Sequence, residues 1–167
     1  MTKRVTILPR LALEDDAEAI VDIAREAVEQ TLPHHVFDPD KVRASFQRYI
    51  DTANPTFFVA EHVVTRRIVG FLKATMSEYD FTDGFYTTCE VISVRPAMRG
   101  SRAAALLLRE FLAWSDMLGA KESTGGVDNG FRNDATTRFF CRFGFEVVGS
   151  FVRRRGSGSQ HVEEGRR

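Results

Sequence analysis

Residues 90–106 read EVISVRPAMRGSRAAAL, and the order of residue types in this run decides the architecture. Val91, Ile92 and Val94 carry a β-rich segment that stops at Pro96, because proline fixes φ and lacks the N–H that a ladder needs. A helix starts around Arg102, so Arg99-Gly100-Ser101 must turn the chain sharply between strand and helix. The first N–H groups of a helix have no intrahelical acceptor, and the helix dipole adds partial positive charge there. Small side chains at Gly100, Ser101, Ala103 and Ala104 let a phosphate approach that backbone, although the same residues would also suit a turn used only for packing. No Gly-Lys-Ser/Thr follows the turn and no Gly-x-Gly-x-x-Gly is present, so the loop is neither a nucleotide P-loop nor a dinucleotide motif.

Working outward, LLLREFLAWSDML puts Leu107, Leu108, Phe111, Trp114 and Leu118 on one broad helical face, and Gly119 supplies the stop. Beyond it, Glu122–Val127 is expected as a strand. Asn133 or Asp134 caps a short helix through Phe143, Gly144 ends it, and Glu146–Val152 reads as another strand. Upstream, Tyr86–Val94 is a strand, and Thr56–Val63 with Ile68–Met76 reads as an antiparallel hairpin around residues 64–67. Asp38-Pro39 is an N-cap followed by a first-turn proline, opening a helix with Val42, Phe46, Tyr49 and Ile50 on one face. An earlier helix carries Ile20, Ala24, Ala27 and Val28, with Asp15 and Glu18 at capping-box spacing, and Val5–Leu8 precedes it as a strand. Between the two helices, adjacent His34 and His35 point to opposite sides of an extended link, which favours a plain loop over a metal site. Six strands and four helices in this order give a mixed α/β (α+β) fold.

A chain of 167 residues with 43% hydrophobic content buries one core, so residues 1–152 are expected as one domain. The polar Gly/Ser-rich stretch 153–167 reads as a flexible tail. Formal net charge is zero, which argues against a duplex nucleic-acid partner. The charges are uneven: residues 1–90 hold 15 acids against 10 bases, and residues 91–167 hold 8 against 13, placing the anion loop in the basic half. Cys89 and Cys141 lack zinc-site spacing and read as reduced thiols of a cytoplasmic protein. The first twenty residues, broken by Pro9, Arg10 and an acidic cluster, offer neither a signal h-region nor a membrane span.

Two motifs together resemble the GNAT superfamily of N-acetyltransferases. The family's pyrophosphate motif is Arg/Gln-x-x-Gly-x-Gly/Ala after the fourth strand. Here Arg99 takes its first position and Ala104 its last, with Arg102 where the family usually has glycine. The second motif, Asn-x-x-Ala-x-x-x-Tyr-x-x-x-Gly-Phe, is matched in spacing by Asn133, Thr136, Phe140, Gly144 and Phe145. The resemblance covers roughly residues 4–152. It implies a mostly antiparallel sheet of six to seven strands, splayed between the fourth and fifth, with about four flanking helices. It implies acetyl-CoA as acyl donor and no metal. Main-chain groups around Ile92 and Val94 would pair with pantetheine. Residues Arg99, Gly100, Ser101, Arg102, Ala103 and Ala104 would hold the pyrophosphate, with Asn133 and Phe140 completing the cofactor site.

The family's reaction is direct attack on the thioester by an amine of a small molecule or protein, and many relatives are homodimers. Glu90 is the candidate base, on the same side of its strand as Val94 if pairing is regular. The family's tyrosine, which protonates the departing thiolate, is replaced by Phe140, leaving water or Tyr86 to supply that proton. Arg102 and Phe140 also motivate the alternative of a CoA-binding or interaction module without efficient catalysis. Acceptor specificity is expected in His34–Phe37 and in Glu78–Phe85, where Glu78, Asp80 and Asp83 form either an acidic rim or an ordinary solvated loop.

Overall fold

The computed structural model describes residues 6–126, 132–154 and 156. Its strands are β1 (Ile7–Leu11), β2 (Thr56–His62), β3 (Ile68–Glu78), β4 (Phe85–Val94) and β5 (Glu122–Gly125). Its helices are α1 (Ala17–Thr31), α2 (Pro39–Thr52), α3 (Ala103–Leu118) and α4 (Asn133–Cys141). One sheet runs in the order β1-β2-β3-β4-β5. The first four strands are antiparallel neighbours and β5 is parallel to β4. That parallel pair requires a crossover, which α3 provides.

The sheet is covered on both faces, and this explains why β2 is buried along almost its whole length rather than alternating with polar residues. Phe57 and Val59 of β2 join Ile68, Phe71, Ile20, Ile23 and Phe46 in a core beneath α1 and α2. Phe58 and Ala60 point the other way, to Val69, Leu72, Ala74, Cys89, Leu107, Leu108 and Phe111 beneath α3. The local signals hold at several ends. The Asp38 carboxylate accepts the N–H groups of Asp40 and Lys41 at 3.0 and 3.3 Å, and Gly119 closes α3 at φ +78°.

Three expectations are corrected. The sheet has five strands among the described residues, fewer than the six to seven expected. Glu146–Val152 forms no strand and leaves Val147, Val148, Phe151 and Val152 exposed, Val148 to 95%. Gly149 and Ser150 interrupt that run, and the edge strand β5 offers only four residues to pair with. The Asp15–Glu18 capping box is not formed, because Asp16 is drawn in instead: it accepts the Leu13 N–H at 2.7 Å and Arg10 at 2.6 Å. Arg10 also reaches the buried Glu61 of β2, so a contact across the sheet sets where α1 begins. Val5, Val127 and most of 153–167 lie outside the described residues.

Candidate active site

The site begins with a change of neighbours along β4. On one edge β4 pairs with β3 throughout; on the other, Tyr86, Thr87, Thr88 and Cys89 pair with Glu122, Ser123, Thr124 and Gly125. Beyond Cys89, residues Glu90–Val94 have no strand on the β5 side among the described residues. Five residues of β4 therefore present one backbone edge for pairing with something other than a strand of the sheet. Ile92 and Val94, both expected at the cofactor, lie in this open half and pack their side chains on the α3 core.

The paired half is laced by hydroxyls. Thr87 Oγ1 lies 2.7 Å from Ser115 Oγ and 3.1 Å from Ser123 Oγ, and Thr88 Oγ1 lies 2.8 Å from Thr124 Oγ1. Phe140 is buried at the point where the strands part. A Cβ added to Gly125 would come within 2.7 Å of Phe140 Cε1 and 3.0 Å of its Cζ. Phe140 also meets Phe145 edge to face at 5.0 Å, so it is a core residue that seals the branch point.

The chain leaves the open half through a short 3₁₀ turn at Pro96–Met98 and enters α3. Gly100 adopts φ +79°, a left-handed conformation that glycine takes without steric cost, and the space where its Cβ would stand is empty. Ser101 Oγ accepts the Ala103 N–H at 3.2 Å. Among the described residues, the N–H groups of Gly100, Arg102, Ala104 and Ala105 find no acceptor. Free N–H groups at the positive end of a sixteen-residue helix, beside a glycine that leaves room, fit a pyrophosphate. Ala103 contributes less than expected, since its side chain is fully buried and its N–H is already bonded. Arg102 is exposed, with no ion pair among the described residues. Arg99 donates to Gln30 of α1, and Arg95 pairs with Glu26 one turn earlier at 2.5 Å, so α1 braces the loop.

Glu90 stands at the first residue of the open half, but not on the side expected. The register passes from Cys89 opposite Ala74 to Val91 opposite Lys73, which makes Glu90 the extra residue of a β-bulge. Regular alternation is broken there, so Cys89 and Ile92 both face α3 while Glu90 faces the α1–α2 side with Lys73 and Thr75. Lys73 Nζ lies 2.7 Å from Glu90 Oε2, and Thr75 Oγ1 donates to Oε1 at 3.1 Å. Neither partner was singled out from the sequence; the available signal was a lysine interrupting the apolar run Ile68–Ala74.

Tyr86 and Glu90 are not brought together. Four residues of strand separate them, about 13 Å. Tyr86 instead stacks near Tyr79, 5.2 Å between ring centroids, at the far end of the paired half. There a hydrogen bond to Glu122 pushes the Tyr79 hydroxyl up to about 12. Burial, followed by the neighbouring Glu90 charge, pushes the Cys89 thiol up to about 12 as well, which leaves it inert as a nucleophile. Asn133 is the exposed first residue of α4, with its side chain unbonded among the described residues.

The profile of the acetyltransferase (GNAT) family matches residues 17–145. A search of curated proteins found no match. Among solved structures, a transcriptional regulator from Bacillus halodurans is 21% identical, with 90% of this chain covering all of that one at a TM-score of 0.75. The aminoglycoside N-acetyltransferase AAC(6')-Iy, solved in complex with CoA, is 18% identical, with coverage of 94% and 99% and a TM-score of 0.72. A Trypanosoma brucei acetyltransferase is 16% identical, with coverage of 90% and 99% and a TM-score of 0.71. At these identities the structures support the fold, and the family rests on the sequence profile.

Proposed function

Because the chain belongs to the acetyltransferase (GNAT) family, we propose that it transfers an acetyl group from acetyl-CoA to an amine of a small molecule or protein within a ternary complex. The observation that carries this reading is the open half of β4 leading through one short turn into a loop and helix start where, among the described residues, four N–H groups have no acceptor. In this reading residues 1–152 form the acyltransferase domain. The loop N–H groups and Arg102 hold the pyrophosphate, the free edge of Ile92–Val94 pairs with pantetheine amides, and Asn133 approaches from α4. The amine attacks the thioester carbonyl; the C–N bond forms, the C–S bond breaks, and CoA departs as a thiolate. Glu90 takes the proton released by the amine. A thiol is acidic enough to leave without a dedicated acid, which suits a buried phenylalanine at position 140.

The test is acetyl-CoA thiol release across a panel of aminoglycosides, polyamines, amino acids and peptide N-termini, alongside a thermal-shift titration with acetyl-CoA. Acceptor-dependent release with a rise in midpoint supports the reading. A rise in midpoint without release for any amine would favour a CoA-binding module, the reading motivated by Phe140 and Arg102. No rise with saturating acetyl-CoA would remove the loop from any cofactor role.

A further inference from the structure

Lys73 is the one charged residue of β3 between Ile68 and Ser77, and its side chain is more buried than that of its partner, 23% exposed against 36% for Glu90. A lysine held at a covered sheet face loses hydration and rotamer freedom, so its place there calls for a partner. The partner is a bulged residue. Glu90 has no register position opposite it on β3, so no regular cross-strand pair sets the direction of its side chain. Lys73 and Thr75, two residues apart and therefore on one face, do so instead: one grips Oε2 and the other Oε1. Each carboxylate oxygen keeps further lone pairs, and none of the other ion pairs among the described residues involves Glu90 or Lys73.

We propose that Lys73 is a positioning residue that acts through Glu90, fixing the bulged carboxylate on the α1–α2 face at the residue where the open half of β4 begins, with Thr75 as the second tether. The inference rests on the acyl-transfer reading above and on Glu90 as its base. A carboxylate tethered at both oxygens keeps one orientation between turnovers, and misplacing a catalytic group by about 1 Å can cost up to about 100-fold in rate. The competing account is a surface ion pair with a small effect on stability and none on chemistry.

A kinetic cycle separates the two, using acetyl-CoA and the amine turned over fastest in the panel. Lys73→Met should lower kcat about 10-fold while leaving the KM for acetyl-CoA and the acetyl-CoA thermal shift unchanged. Lys73→Arg should recover most of the rate, and Thr75→Val should lose about 3-fold. The decisive comparison is the double variant: adding Lys73→Met to Glu90→Gln should cost nothing further, because a residue that acts only through Glu90 has nothing left to position. A Lys73→Met rate equal to wild type, or a loss that persists undiminished in the Glu90→Gln background, would overturn the role of Lys73 while leaving acyl transfer standing. Turnover absent from the wild type with every amine would overturn the acyl-transfer reading itself and the positioning role with it. Should Lys73→Met fail to fold, Thr75→Val in the two backgrounds carries the same comparison.

Discussion

The two halves of β4 belong to one strand and share one neighbour, β3, yet they do different things with the opposite edge. From Tyr86 to Cys89 that edge is occupied by β5, and threonine and serine hydroxyls tie β4 to β5 and to α3. From Glu90 to Val94 it carries no strand among the described residues, and the side chain that marks the change is a charged one on a bulge. The first half ties its polar side chains to each other; the second leaves a backbone edge unpaired among the described residues, beside a helix start where the N–H groups of Arg102, Ala104 and Ala105 find no acceptor among them. In the proposed reading, stability and chemistry are thus divided along ten residues, with Phe140 against Gly125 at the division.

The sharpest way to break this division is to exchange the residue that opens the free half. Glu90→Gln should lower kcat about 100-fold, about 2.7 kcal/mol of barrier, with the melting midpoint within about 2 °C of wild type. A variant as active as wild type would take the base out of the open half. The reverse change belongs to the paired half. Thr87 is fully buried between Ser115 and Ser123, so Thr87→Val removes two hydrogen bonds, leaving Ser115 its bond to the Phe111 carbonyl, and should cost about 2 kcal/mol, lowering the midpoint by about 4–8 °C. The acetyl-CoA affinity of the folded protein should hold. If affinity falls in step with stability, the halves are coupled rather than separate.

Smaller, and confined to the open side, is Gly100→Asp. The substitution puts negative charge and a Cβ at a left-handed position beside the free N–H groups. Affinity for acetyl-CoA should fall about 10-fold, about 1.4 kcal/mol, and the loss should shrink for a ligand without phosphates such as pantetheine. Equal losses for both ligands would assign the effect to backbone strain.

How much of this was legible depends on whether the cause is local. The strand-to-helix turn at Arg99–Arg102, the Asp38-Pro39 cap and the Gly119 stop each follow from the chemistry of a few adjacent residues, and each is present in the structure. The resemblance implies Phe140 as a cofactor contact; the structure buries it as a core residue at the branch point of β4 and β5. The bulge was not legible, because nothing within Cys89–Ile92 differs from a regular strand; the extra residue exists only relative to Lys73 and Ala74 across the ladder. Alternation counted along one strand therefore put Glu90 on the wrong face. The start of α1 failed for a related reason, since Asp16 was preferred over Asp15 by an arginine on β1. Glu146–Val152 has strand-like composition but no sheet edge of matching length.

Cys89 reports on the boundary between the halves and gives the smallest of the expected effects. It is the last residue of β4 paired to β5, it is buried, and its thiol is pushed up to about 12, chiefly by burial. Cys141 is free and exposed. At pH 8 a chromogenic disulfide should therefore titrate one thiol quickly, and the second only when β4 and β5 separate or the chain unfolds. The sign of the pH effect follows from proton counting. Above pH 9 an unfolded Cys89 gives up its proton while the folded one keeps it, so the folded state binds more protons and stability falls as pH rises from about 9 toward 12. At pH 9.5 that loss should stay within about 1 kcal/mol, visible as a slightly lower urea midpoint that Cys89→Ala no longer shows. Thr87→Val should speed the labelling of Cys89 and leave Cys141 unchanged, because it loosens the paired half alone. Glu90→Gln should leave both rates near those of wild type. Faster Cys89 labelling in Glu90→Gln would mean that the bulge helps to hold the strands together, and the line between a stabilising half and a working half would have to be moved toward Val91.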